Sequence, residues 1–93
     1  MSKGLLTSLF ILLSLAILVN SASATELRVQ WKEAIEILNN KPVYGVTQTH
    51  DLTVYLYLRD GTSYITQEPE IDAIYLEIEK CGMPCKDIVI ETE

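Results

Sequence analysis

Leu52-Thr53-Val54-Tyr55-Leu56-Tyr57-Leu58-Arg59-Asp60-Gly61-Thr62 sets the architecture of this chain. Leu52, Val54, Leu56 and Leu58 fall on one face, and Thr53, Tyr55, Tyr57 and Arg59 on the other. A period of two marks a half-buried strand. Asp60-Gly61 reads as a two-residue hairpin turn in which both residues reach positive φ. Thr62 to Gln67 then returns as the next strand, and Val43 to Thr49 precedes as another, turning at His50-Asp51.

Helical spacing flanks these strands. Trp31, Ala34, Ile35 and Leu38 recur at i, i+3, i+4 and i+7, and Asn39-Asn40-Lys41-Pro42 stops that helix. Glu68-Pro69-Glu70 is expected to open a second helix, with Glu70 and Asp72 near the positive end of its dipole. Ile71, Ile74, Tyr75, Ile78 and Cys81 form its apolar stripe, and Gly82 can cap it. Asp87 to Thr92 reads as a last short strand, and Glu26 to Gln30 as an extended lead-in. The expectation is a single small α+β domain over residues 25–93, in the order α-β-β-β-α-β. Its sheet should be mainly antiparallel, with both helices on the leucine face. The Tyr55/Tyr57 face is then left without a cover from this chain.

Residues 1–24 read as a cleavable export signal: Lys3, an apolar run from Leu5 to Val19, then Ala22-Ser23-Ala24. The alternative is an uncleaved anchor, but the run falls short of the ~20 residues a spanning helix needs. Periplasmic localisation is expected, with secretion the alternative. Residues 25–93 hold six basic residues against thirteen acidic ones, with His50 neutral, an excess of seven negative charges. Such a surface repels nucleic-acid backbones and anionic lipid, so no nucleic acid is expected as a partner and no stable membrane insertion after cleavage. Cys81 and Cys85 are the only cysteines, and export makes a bond between them the default.

Trp31 at a helix start, Ala34 and Leu38 three and seven residues on, the hairpin Leu58-Arg59-Asp60-Gly61-Thr62-Ser63-Tyr64-Ile65-Thr66, and the Pro69-led helix carry a resemblance. The chain resembles the extracytoplasmic domain of the membrane-bound AAA protease family FtsH over about residues 30–91. The family's ATPase and zinc-peptidase modules have no counterpart here, and neither does its His-Glu-x-x-His motif. The Cys81/Cys85 pair departs from the family pattern. The resemblance implies an interaction or oligomerisation module without chemistry of its own, and it carries over no catalytic residue.

Cys81-Gly82-Met83-Pro84-Cys85 is one residue longer than a thioredoxin-type motif. It also closes a helix, where the dipole disfavours a thiolate, so a structural bond outweighs a redox role. His50, beside Asp51, stands in a turn with no nucleophile assigned to it. Glu68, Glu70 and Asp72 are acidic neighbours, but calcium needs six to eight oxygens and a different spacing. No cofactor or metal is expected, and no enzymatic activity. The candidate binding patch is Tyr55, Tyr57 and Tyr64 with Thr53 and Arg59, Thr47 also at its rim. Tyrosine gives large contact area with few rotors. Its partner would be another envelope protein or a second copy, with strand propensity the plainer explanation of the rings.

Overall fold

A computed structural model describes residues 25–93; the expected signal, residues 1–24, lies outside the described residues. The elements are β1 (Thr25–Arg28), α1 (Trp31–Asn40), β2 (Val43–Gln48), β3 (Thr53–Leu58), β4 (Thr62–Gln67), α2 (Ala73–Cys81), a 3-10 turn (Met83–Cys85) and β5 (Val89–Thr92). They form a five-stranded sheet in the order β1-β4-β3-β2-β5. β3 runs antiparallel to β2 and β4, while the outer pairs β1–β4 and β2–β5 are parallel. The α-β-β-β-α-β order is present. The lead-in is itself a strand, though, and the two edges make the sheet mixed.

Four strands therefore point one way and β3 alone the other. β1-α1-β2 and β4-α2-β5 are both crossovers between parallel strands, and both step in the same direction along the sheet. The strong preference for right-handed crossovers then places both helices on one face. The core agrees. Ala34, Ile37 and Leu38 of α1 and Ile74 of α2 pack with Val46, Val54, Leu56 and Leu58 of the sheet. Cys85 joins the same core at 2% exposure, bonded to Cys81.

Both hairpins at the ends of β3 have three-residue loops. Leu58 C=O accepts from Gly61 N–H at 3.1 Å, and Thr49 C=O accepts from Leu52 N–H at 3.2 Å. In each loop the central aspartate accepts from the next strand's first amide, Asp60 from Thr62 at 2.9 Å and Asp51 from Thr53 at 3.2 Å. The third residue takes positive φ: Gly61 at 94° and Leu52 at 71°. This is a type I turn followed by a left-handed residue, not the expected two-residue turn, and Asp60 is not left-handed. Leu52 consequently leaves the strand.

The helix ends also differ from the periodicity reading. α1 stops without a left-handed residue. The Asn39 and Asn40 side chains donate to the Ile35 and Glu36 carbonyls at 2.7 and 2.8 Å, and Lys41 is extended. α2 begins only at Ala73, because Asp72 adopts φ 71° and breaks the helical path from Pro69. Ile71 therefore lies before the helix and is exposed, outside the apolar stripe. Gln48, buried on β2, fixes this start: its Oε1 accepts from Asp72 N–H at 2.8 Å, and its Nε2 donates to Asp72 Oδ1 at 3.1 Å. Glu68 Oε1 accepts from Ile74 N–H at 3.0 Å, serving an orphan amide of the first turn.

Candidate functional site: the tyrosine face of the sheet

β3 presents Thr53, Tyr55 and Tyr57 on the face opposite its core residues Val54, Leu56 and Leu58. Strand register assigns the neighbours. Tyr57 lies opposite Gly45 on β2 and Ser63 on β4; Tyr55 lies opposite Thr47 and Ile65. Val89 and Glu91 of β5 continue the same face beyond Gly45 and Thr47. Both helices pack on the other side, so these side chains form the open face of the sheet.

The rings are ordered against one another. Tyr55 and Tyr57 stack with centroids 6.3 Å apart and planes within 5°. Tyr44 extends the row, stacking on Tyr57 at 6.4 Å and 26°. A β-bulge between Val43 and Gly45 turns Tyr44 toward this face, because the bulged strand carries one extra residue there. Arg59 closes the row, with Cζ 5.9 Å from the Tyr44 centroid, at the outer limit of a cation–π contact. At the other end, Thr53 Oγ1 is hydrogen-bonded to the Gln67 side-chain amide at 3.3 Å.

Gly45 leaves room for the row. A Cβ there would stand 3.4 Å from Tyr57 Cδ2, so the ring lies directly over the glycine. Tyr44, Gly45, Thr47, Tyr57, Val89 and Glu91 line a shallow groove of about 360 Å³ beside it. Its walls are aromatic and apolar, with the Glu91 carboxylate at one side. Tyr44 is 41% exposed and Val89 is 64% exposed.

Two expected members of the patch are placed differently. Tyr64 lies opposite Leu56 and packs against the core, on the helix-covered face. A two-residue turn would have set Tyr64 opposite Tyr57. The third loop residue shifts the register by one, and a one-residue shift sends a side chain to the other face. Thr47 has the right face but is buried in its floor between Tyr55 and Glu91, not at a rim. Tyr44, Gly45, Val89 and Glu91 were not anticipated. A glycine inside a strand pattern is the one sequence signal for that bulge.

The remaining candidates are dispersed. His50 is exposed in the β2–β3 loop. Asp51 and Asp60 are exposed, and their carboxyls are held below the usual 3.8, chiefly by hydrogen bonds from Thr49 and Thr62 respectively. Glu68 is 2% exposed. Burial raises its carboxyl above the usual 4.5 and the nearby Asp72 charge adds to this, against the hydrogen bond from Ile74. Among the described residues no group of three or more metal-ligating side chains converges, and no helix is long and apolar enough to cross a membrane. No family model matches this chain, and no curated protein matches it.

Proposed function

We propose that this protein is a non-enzymatic, exported, periplasmic interaction module that binds another envelope protein through the tyrosine face of its sheet. One observation carries the reading: Tyr44, Tyr57 and Tyr55 are stacked in a row on the face that neither helix covers. Rings already ordered by stacking lose little freedom on binding, and their hydroxyl tips supply directional bonds. The excess of acidic groups and the Glu91 wall favour a partner segment carrying basic residues. A relationship to the FtsH extracytoplasmic domain, which rests on the sequence resemblance alone, would imply the same role, a binding or assembly module.

A structural role for the disulfide fits this reading. Cys81 closes α2, where carbonyl dipoles disfavour a thiolate, and Cys85 is buried in the core. The test is a Tyr55→Ser, Tyr57→Ser double variant, cross-linked in the envelope beside the unaltered protein. Loss of the partner adduct at unchanged melting temperature is expected. An adduct of equal yield would remove this face from consideration.

A further inference from the structure

We propose that the protein pairs with a second copy of itself through β1, joining two five-stranded sheets edge to edge. Among the described residues β1 is an edge strand whose one neighbour in the sheet is β4. Val29 N–H donates to the Ile65 carbonyl at 2.9 Å. In a parallel ladder the backbone groups of alternate residues point the same way. Residues 25, 27 and 29 thus turn theirs toward β4, and Glu26 and Arg28 turn theirs outward.

An antiparallel copy that uses these outward groups can sit about a two-fold axis at three places only. An axis at Glu26 sets two carboxylates opposite each other, and an axis at Arg28 sets two guanidinium groups opposite each other. An axis at Leu27 sets Glu26 opposite Arg28 of the second copy, twice. That register closes four backbone hydrogen bonds and alone contains no like-charge pair. It also brings the two Leu27 side chains together as the closely spaced pair, and Leu27 is 45% exposed on the single chain. Glu26 and Arg28 have no competing ion pair, since the salt bridge found among the described residues joins Lys80 and Glu77.

The opposite edge lacks this complementarity. Glu93 N–H donates to the Gln48 carbonyl at 2.9 Å, so Ile90 and Thr92 face outward on β5. Every antiparallel self-register open to it sets acid against acid: Glu91 on Glu91, Glu91 on Glu93, or, beyond the strand, Glu93 on Asp87. Pairing through β1 uses the same edge of both copies and therefore closes at a dimer. The axis stands perpendicular to the sheet, so both tyrosine rows share one face of a ten-stranded sheet.

Sedimentation equilibrium of the exported protein over a wide concentration range tests this, with Glu26→Arg, Arg28→Glu and the double swap. The expected result is a dimer whose dissociation constant rises at least about tenfold in each single variant and recovers in the double swap. Amide exchange at Glu26 and Arg28 of the unaltered protein should slow as concentration rises. A monomer at every concentration, a constant equal in all four proteins, or exchange at those two amides independent of concentration overturns the proposal.

Discussion

Leu52→Gly should stabilise this protein, although it removes a leucine. The loops His50-Asp51-Leu52 and Arg59-Asp60-Gly61 share one geometry, and only the second places glycine at the left-handed position. Holding a residue with a Cβ at φ near +70° costs about 1–2 kcal/mol. Glycine returns about 0.5–1 kcal/mol of that through its freer unfolded chain. Leu52 is half-buried and packs outside the core cluster, so the loss of its side chain offsets only part of the gain. The net gain should be about 0.5 kcal/mol, or about 2–4 °C in melting temperature for a domain of this size. Gly61→Ala is the matched control: a Cβ there meets nothing within 4 Å, so its cost is purely one of backbone conformation. It should lower stability by about 0.5–1 kcal/mol. Thermal and urea unfolding of both variants and their combination would measure this. If Leu52→Gly lowers the melting temperature as much as Gly61→Ala does, the leucine side chain anchors the loop and the strain argument is wrong.

Two further outcomes follow from the polar and covalent features. Reducing the Cys81–Cys85 bond, or replacing both residues by alanine, reopens a five-residue loop and should cost about 2 kcal/mol, or about 8–16 °C; a shift below 2 °C in calorimetry would mean the reduced chain holds the turn unaided. Glu68 has its folded-state pKa raised above 4.5, so its contribution to stability is complete below pH 4.5 and is lost as pH rises through the folded value. Glu68→Gln should flatten the decline in stability above pH 4.5 and leave the fall below pH 3.8 intact, where the depressed carboxyls of Asp51 and Asp60 act with the opposite sign. Unfolding curves across pH 3–8 that superimpose for the two proteins would refute the assignment to Glu68.

Much of this architecture is legible in the sequence because it is local. The alternation of Val54 to Leu58 and the helical spacing of Ala34 and Leu38 depend on neighbours within a turn or a strand, and they appear as expected, although Leu52 leaves the strand and Ile37, not Ile35, is buried. Edge pairing depends on residues far apart: Thr25 meets Thr62, and Val89 meets Gly45. No local pattern records such partners. Tyr64 shows how one loop residue propagates. Asp60-Gly61 is compatible with a two- or a three-residue loop, and the choice reverses the face of every side chain in β4. Asp72 shows the other kind of miss. The Pro69 and acidic signals of a helix start are present, yet the hydrogen bonds exchanged with Gln48, 24 residues away, hold a left-handed residue there.

Both termini of the described chain are strands, and each is hydrogen-bonded to the middle of the sequence. The β5 edge therefore cannot close until residues 89–93 are free to join β2, since Glu93 itself donates to Gln48. Pairings between residues this far apart in sequence slow folding, because the loop between them must close before the contact forms. On the proposed export route that delay would be an advantage, because the central hairpins alone leave both edges of the sheet unpaired while the chain is threaded.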